Sequence, residues 1–457
     1  NRSLFLSAYI INKNMHEKGE RVVTKEPTAP KFKSVGLKGE LRFFWSELKS
    51  FFDIKRWFKS LFTGKIREFF TSGSFDLAFF ALVIYLVSVG VVMMFSASYV
   101  AARNGADTNY NPYYYFINQL KFAAIGIVVM LLVSRLKVDL FRSFSGLIGL
   151  VSLILLIYVL INPKIIAGKE EFKRWIDLGV MDYQPSELAK LGIIMLFSFM
   201  MERYRTKTEE KAWMMLIYAG ILGVFCLLIY KENHLSGALI VLLIGGVMMF
   251  FGGVKLRWFV IVGVIAAIAA SVVIATPEKF LPEHAVPRIE IWKKLLAGKE
   301  LTSEETKGDA WQTLQSLYAV GSGGLFGVGF GKSRQKYLYL PEPQNDFVFS
   351  VICEELGFFP TLLIVIIPFI LLLARGFTIA LRARSRYAKL LALGISVQVA
   401  LQAGLNIAVV TSTVPNTGIS LPFFSYGGSS LVTLLIEMGM VLAVSRNDER
   451  KRTNAQR

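Results

Sequence analysis

The run YLPEPQNDFVFSVICEELG, at 339–357, leads from a polar, proline-rich loop into a long apolar segment, and Asp346 lies at the entrance. A carboxylate close to hydrocarbon costs free energy, so an acid at a membrane boundary is a candidate functional group. Asp346 could act as a general base at this boundary. In the alternative interpretation, Asp346 is only the N-cap of the following helix.

Two further carboxylates, Glu354 and Glu355, lie deeper in the same apolar segment. On a helix that begins at Asp346, Glu355 is about two and a half turns away, which is too far for direct contact. We therefore expect Glu355 to organise the interior of a helix bundle or to bind a cation.

The segment QPSELAK, at 184–190, brings a second set of polar groups to the start of an apolar run. Gln184 and Ser186 stand at its beginning, and Ser186 is expected to cap the helix. Glu187 and Lys190 are three residues apart, so they share one helix face and can form an ion pair. This pair either stabilises the bundle or lines a substrate cavity.

Gln398, Gln402 and Asn406 recur every four residues and form a polar stripe on one predicted helix. Such a stripe usually joins helices through hydrogen bonds and less often lines a cavity. Ser425 opens the segment SYGGSS, whose small residues allow close backbone packing. A second interpretation of Ser425 is that it faces a substrate.

The composition of the chain indicates a helical membrane protein. It has 457 residues, of which 54% are hydrophobic and 18% are charged, whereas a soluble protein has about 25% charged residues. The apolar residues form runs of about 18 to 25 without strict alternation, which is typical of membrane-spanning helices and excludes barrel strands. Two cysteines, both in apolar runs, imply no disulfide framework. The net charge of +18 is concentrated in the tails and alternate loops, which indicates membrane orientation rather than nucleic-acid binding.

We predict an all-α polytopic membrane protein with about ten transmembrane helices and a large extracellular loop before helix 8. Basic residues in alternate loops lie on the same side as the basic tails, which predicts that both termini are cytoplasmic. The predicted helices lie near 76–98, 116–134, 144–162, 184–202, 212–230, 235–253, 256–275, 346–374, 388–412 and 420–445.

The predicted transmembrane domain, 75–446, has further segments on either side. Residues 1–38 are expected to be a flexible cytoplasmic tail, and 447–457 a second cytoplasmic tail. Residues 39–74 interleave aromatic and basic residues at helical spacing, which predicts a basic amphipathic helix. This helix lies either in the membrane interface or against the cytoplasmic face of the protein itself.

The large predicted loop, 276–345, contains a glycine-dense segment at 321–331. This segment is either a flexible connector or a backbone shaped closely around a ligand. It lacks the strand–loop–helix context of a phosphate-binding loop, which excludes a nucleotide site of that kind.

A basic cluster, Lys332, Arg334 and Lys336, follows the glycines and precedes Asp346 by a short distance in the chain. Together with Arg174, these residues are candidates to bind an anionic group, alone or with a divalent metal. The alternative for each is an ordinary solvated loop charge.

Several segments together resemble the SEDS family, which includes FtsW, RodA and SpoVE. The segments are those at 339–357 and 311–333, RWIDLGVMDYQPSELAKL at 174–191, and PNTGISLPFFSYGGSSL at 415–431. The resemblance covers about residues 75–445, with the motifs in family order, and PEPQNDF and PNTGISLPF look closer to FtsW and SpoVE than to RodA.

The resemblance implies a peptidoglycan glycosyltransferase that polymerises lipid II into β-1,4 glycan strands for cell division or sporulation. Such a protein acts at the outer face of the bacterial cytoplasmic membrane and releases undecaprenyl pyrophosphate. The family's essential aspartate corresponds to Asp346. Many members have Gln-Pro-Asp where this chain has Glu232-Asn233-His234. Because His234 stands in place of the aspartate of that motif, no role of the aspartate transfers to this chain.

The resemblance also implies partners. These are a class B penicillin-binding protein and other divisome or elongasome membrane proteins, with no nucleic acid. A divalent cation, Mg²⁺ or Mn²⁺, is a candidate cofactor for the departing diphosphate. Two other functions stay open, namely a flippase or transporter of lipid-linked cell-wall precursor and a non-catalytic scaffold for a penicillin-binding protein. The chain shows no internal repeat of the kind common in transporters.

Overall fold

The computed structural model describes residues 73–164, 173–177, 179, 182–280, 286–299, 301–302, 305–306 and 310–455. The predicted tail 1–38 and the predicted interfacial helix 39–74, apart from its last two residues, lie outside this part of the chain, as do the last two residues of the tail 447–457.

The described residues form a helical bundle, which confirms the predicted all-α polytopic class. Seven of its helices are long and apolar enough to cross a membrane by length and composition, and helices also occupy the other three predicted ranges. The helices are α1 (Leu77–Asn104), α2 (Tyr114–Val133), α3 (Val138–Ile161), α4 (Pro185–Arg203), α5 (Ala212–Lys231), α6 (Leu235–Phe251), α7 (Leu256–Ala275), α8 (Val286–Leu296), α9 (Trp311–Ser322), α10 (Val348–Leu356), α11 (Phe358–Arg382), α12 (Arg386–Val410) and α13 (Gly428–Ala455).

Smaller elements connect these helices. A two-stranded antiparallel hairpin joins β1 (Ile176–Asp177) to β2 (Asp182–Tyr183) just before α4. Within the predicted large loop, the chain forms α8 and α9 as well as irregular backbone. Short helical turns at Ala106–Thr108, Arg205–Glu210 and Pro277–Phe280 complete the connections.

The bundle packs through small residues and buried polar groups. Helix α13 packs against α2, α3 against α4, and α11 against α12. At Gly439 on α13, an added Cβ would lie 2.7 Å from the carbonyl oxygen of Met130 on α2. Such close backbone contact between apolar helices requires a residue without a side chain.

The predicted continuous helix at 346–374 is interrupted in the structure. Helix α10 begins at Val348, with Phe347 in the capping position and no side-chain cap, so the N-cap interpretation of Asp346 is wrong. The helix ends at Gly357, whose φ of 76° lies in the left-handed region that favours glycine. A new helix, α11, then begins at Phe358. It contains a π-helical segment, Leu362–Ile366.

The glycine-dense segment at 321–331 packs against this interruption, backbone to backbone. The N–H groups of Val328 and Gly329 donate to the carbonyl oxygens at the end of α10, and the N–H of Phe358 donates to the carbonyl of Gly324. An added Cβ at Gly327 would lie 2.2 Å from the carbonyl oxygen of Glu355. Gly327 therefore permits contact between two stretches of this chain, and the shaping of this segment around a ligand stays a prediction.

Candidate active site

Asp346 lies at one end of the bundle, half-buried, in a loop whose backbone is held by three hydrogen bonds. Because three consecutive carbonyl groups are held, the position of the Asp346 backbone is determined by the segments around it. The backbone N–H of Tyr426 donates to Gln344 (2.8 Å), Ser425 Oγ donates to Asn345 (2.6 Å), and Asn406 Nδ2 donates to Asp346 (2.8 Å).

Ser425 and Asn406 act as structural connectors at this site. Ser425 Oγ also accepts a hydrogen bond from the N–H of Leu421 at 2.7 Å. Asn406 Nδ2 also donates to the carbonyl of Ile419 at 2.5 Å. This confirms the prediction that the polar stripe of α12 joins segments of the bundle.

The carboxylate of Asp346 lies against Gly418. An added Cβ at Gly418 would lie 2.9 Å from Asp346 Oδ2, and the φ of this glycine is +68°. Both the space and the backbone conformation therefore call for glycine at this position. The segment PNTGIS forms one wall of the Asp346 site.

Arg174 interacts electrostatically with both Asp346 and a second arginine, Arg288. Burial lowers the pKa of Arg174 to about 10, the negative charge of Asp346 opposes this shift, and the positive charge of Arg288 adds to it. Two guanidinium groups that repel each other near a single half-buried carboxylate suit the binding of a further anion.

Arg288 was not among the candidates from the sequence. It lies in α8, inside a segment predicted as loop, and its Nη1 donates to the carbonyl of Asn416 at 3.5 Å. The signal that could have identified it is its helical context, Val286–Leu296, next to the prolines of the large loop.

The Glu232-Asn233-His234 segment, which links α5 and α6, lies next to Arg174. Arg174 Nη2 donates a hydrogen bond to the carbonyl oxygen of Asn233, and Asn233 itself has a positive φ of 57°. Glu232 is fully buried, and neither of its carboxyl oxygens has a hydrogen-bond partner among the described residues. Burial raises the pKa of Glu232 to about 8, although the charge of Arg174 opposes this.

His234 is neutral and faces the start of α4. Its Nδ1 lies 3.3 Å from Ser186 Oγ and 3.4 Å from Gln184 Nε2. Burial, together with the charges of Arg174 and Lys190, holds the pKa of His234 well below its usual range. The prediction that Ser186 caps α4 is wrong, because Gln184 occupies the capping position without a side-chain cap and the Ser186 hydroxyl turns to His234.

The predicted Glu187–Lys190 pair is present and buried. Lys190 Nζ lies 2.9 Å from Glu187 Oε1 and donates to Gln402 Oε1 at 3.0 Å. Gln402 Nε2 in turn donates to Ser420 Oγ at 3.1 Å. The pair therefore supports the segment that carries Gly418, and a direct role in substrate binding stays a prediction.

The predicted basic cluster is divided between two environments. Lys332 and Arg334 are exposed, whereas Lys336 is buried and its Nζ lies 2.7 Å from Glu355 Oε1. Ser96 Oγ on α1 donates to Glu355 at 2.8 Å and accepts from Lys336 Nζ at 3.1 Å. Lys336 thus joins the loop to the bundle interior, and Glu355 organises that interior, as predicted.

Neighbouring Glu354 anchors the same loop. Its carboxylate accepts hydrogen bonds from Ser333 Oγ at 2.5 Å and from the N–H of Arg334 at 2.8 Å. The two carboxylates of α10 therefore hold the segment that follows the glycines, at a distance from Asp346 along the helix.

The described residues around Asp346 do not form a ready-made site for a metal ion. Among the described residues, no three His, Cys, Asp or Glu side chains come together in a group that could hold one. Arg174 acts electrostatically with Asp346, and its positive charge repels a cation. We derive no step of the reaction through a metal.

Comparisons with known proteins agree with the arrangement described above. The family model for FtsW, RodA and SpoVE, described as "Cell cycle protein", matches residues 76–450. Stage V sporulation protein E of Bacillus subtilis is 36% identical over 376 residues, which are 81% of this chain and 97% of that protein. A probable peptidoglycan glycosyltransferase FtsW of Trichlorobacter lovleyi is 36% identical over 382 residues, 83% of this chain and 95% of that protein.

Solved structures show the same fold. A peptidoglycan synthase complex that coordinates polymerization and crosslinking contains a chain with a TM-score of 0.64 and 27% identity, covering 82% of this chain and 98% of that one. The rod shape determining protein RodA of Thermus thermophilus has a TM-score of 0.57 and 26% identity, covering 82% and 97%. The motifs around Asp346 and the match along residues 76–450 lead to one conclusion: the chain belongs to the FtsW, RodA and SpoVE family.

Proposed function

We propose that this chain is a peptidoglycan glycosyltransferase that polymerises lipid II, with Asp346 as the general base. The names of its relatives support this activity. The observation that carries the assignment of the base is the half-buried Asp346 carboxylate, which lies against Gly418 on a backbone held by hydrogen bonds and interacts with the charge of Arg174.

In the proposed reaction, Asp346 takes the proton of the acceptor sugar hydroxyl as its oxygen attacks the anomeric carbon of the donor. The new C–O bond forms as the bond from that carbon to the diphosphate oxygen breaks, so the configuration inverts and a β-1,4 linkage results. Lipid II is both donor and acceptor, and undecaprenyl diphosphate leaves. Arg174 and Arg288 stabilise the negative charge that develops on the departing diphosphate.

We further propose that the Asp346 end of the bundle faces the outside of the cytoplasmic membrane and that both termini are cytoplasmic. The support comes from the basic residues at the other helix ends. Three ion pairs lie there, between Arg375 and Asp76, Arg142 and Glu202, and Arg386 and Glu209.

The proposed partner is a class B penicillin-binding protein, which crosslinks the new glycan. The resemblance to a chain of a peptidoglycan synthase complex supports such a partner. Contacts with other divisome or elongasome proteins stay a prediction. A requirement for Mg²⁺ or Mn²⁺ is also a prediction, which the assay described next can examine.

The test is polymerisation of purified lipid II by the detergent-solubilised protein with a partner that is unable to polymerise. Wild type and Asp346→Asn are compared with and without divalent cation. The control is Lys299→Gln, because Lys299 is an exposed residue of the large loop. We expect glycan ladders from wild type and the control only. Equal ladders from Asp346→Asn would remove this residue from the chemistry, and no ladders from any folded protein would favour a flippase or a scaffold.

A further inference from the structure

The segment that links α5 and α6 contains a carboxyl group that the proposed reaction does not use. Glu232 has no exposed surface, and both of its carboxyl oxygens lack a hydrogen-bond partner among the described residues. A buried carboxyl group without partners costs several times more free energy than one that is hydrogen-bonded. A structural role alone does not explain why a glutamate stands here, because an apolar side chain would avoid this cost.

The surroundings of Glu232 indicate which group it acts on. The next residue, Asn233, accepts a hydrogen bond from Arg174 through its carbonyl oxygen. The charge of Arg174 is also the one that acts on Glu232, and Asp346 and Glu232 both act on Arg174. Arg174 is therefore shared between two carboxyl groups, one in the candidate active site and one in the protein interior.

We propose that Glu232 is a positioning residue whose buried carboxyl group controls how much of the Arg174 charge acts on Asp346 and on a bound diphosphate. This inference rests on the proposed function only in naming the diphosphate as the anion. When the Glu232 carboxyl is neutral, the full charge of Arg174 acts on the site. When it is ionised, its negative charge in the protein interior partly offsets the positive charge of Arg174, and an anion in the site is bound less strongly.

The ionisation of Glu232 falls in an accessible pH range, because burial raises its pKa to about 8. Glu232 is therefore mostly neutral below this pH and ionises as the pH rises through it. The other charged and titratable groups near Arg174 and this segment are Asp346, Arg288 and the neutral His234, and the adjacent Lys231 is exposed. Glu232→Gln cannot titrate at this position, so a transition that is present in wild type and absent from this variant reports Glu232.

The first experiment measures binding of inorganic diphosphate to the full-length purified protein at pH 6.5 and at pH 9. We expect the affinity of wild type to fall about tenfold more over this range than that of Glu232→Gln, since a change of about 1.4 kcal/mol is tenfold in affinity. Glu232→Gln keeps the shape of the side chain and cannot ionise. Lys231→Gln, an exposed neighbour changed to the same residue, should follow wild type.

The second experiment measures the rate of lipid II polymerisation against pH for the same proteins and for Glu232→Asp. We expect the rates of wild type, Lys231→Gln and Glu232→Asp to fall as the pH rises through about 8. The rate of Glu232→Gln should not show this alkaline decline. If Glu232→Gln lowers the rate by the same factor at every pH, its pH profile has the shape of the wild-type profile. That result would indicate a purely structural role for Glu232 and would overturn the inference.

The two measurements separate this inference from the proposed function. Suppose that the pH dependence of diphosphate binding differs between wild type and Glu232→Gln but no glycan is made. This result would support the proposed role of Glu232 and reject the proposed polymerase activity. If Glu232→Gln binds diphosphate with the same affinity as wild type at both pH values, the proposed role of Glu232 is rejected, even if glycan is made. An absence of diphosphate binding by folded wild type at both pH values would reject it as well.

Discussion

The side-chain amide of Asn406 donates a hydrogen bond to the main-chain carbonyl oxygen of Asp346 at 2.8 Å. The same nitrogen donates to the carbonyl of Ile419, one residue after Gly418. One buried amide on α12 therefore holds two loops that meet at the candidate active site, the one with the Asp346 carboxylate and the one that packs against it.

Replacing Asn406 by Leu should reduce polymerisation by about tenfold to a hundredfold per folded molecule, because a small displacement of a catalytic group has effects of this size. The measurement is the rate of glycan synthesis, normalised to folded protein by size-exclusion chromatography. Gln398→Leu is the matched control, since Gln398 lies two turns earlier on α12 and donates to Glu437, away from Asp346. Equal rate losses in the two variants would reject a specific role for Asn406.

Replacing Gly418 by Ala should reduce the rate more than tenfold and change stability by only about 1–2 kcal/mol, the cost of a left-handed conformation for a residue with a side chain. The reason is that the new Cβ would lie 2.9 Å from Asp346 Oδ2 and push the carboxylate away. Gly404→Ala is the control, because no atom lies within 4 Å of its added Cβ. An active Gly418→Ala protein would show that the carboxylate has room to move.

Replacing Arg288 by Gln should lower kcat/KM for lipid II by about tenfold to a hundredfold, because a charge-assisted contact to the departing diphosphate is lost. Steady-state rates at several lipid II concentrations measure this effect. Lys299→Gln removes one positive charge from the same loop at an exposed site. If both changes lower the rate equally, the effect is one of overall charge and not of Arg288.

Replacing Lys336 by Met should destabilise the protein by about 3–5 kcal/mol, because it leaves Glu355 buried without its counter-charge. Thermal unfolding in detergent measures the loss as a lower apparent Tm. The double change Lys336→Met with Glu355→Gln should recover much of it, whereas Lys332→Met, at an exposed position, should leave the Tm unchanged. A normal Tm for Lys336→Met would return Lys336 to the candidates for substrate binding.

Replacing Glu232 by Gln should raise the apparent Tm at pH 8 more than at pH 5. In the folded protein, burial raises the pKa of Glu232 to about 8 from its ordinary value of 4.5. Between these values the folded state holds a proton that the unfolded state has released, so stability falls as the pH rises through this window. Gln does not titrate, and the difference in Tm between the two proteins should therefore increase up to about pH 8. A constant difference from pH 5 to pH 8 would mean that Glu232 titrates normally.

Sequence alone was sufficient for the class of the protein, the approximate positions of its helices and the identity of the candidate base. Hydrophobic runs of membrane length are a local property, and the cost of a charge beside hydrocarbon applies at Asp346 in any arrangement of the helices. The Glu187–Lys190 pair was also predictable, because a spacing of three places both residues on one helix face.

Only the tertiary structure decided which residues surround that base. The break at Gly357 depends on backbone contact with a glycine segment about thirty residues earlier, which no local pattern encodes. Two basic residues differ from expectation for the same reason. Lys336, a candidate for anion binding, is buried in an ion pair with Glu355. Arg288, which was not a candidate, is brought by helix α8 into the electrostatic environment of Arg174. Burial and long-range pairing are properties of the assembled bundle, and they determined the role of each charged residue.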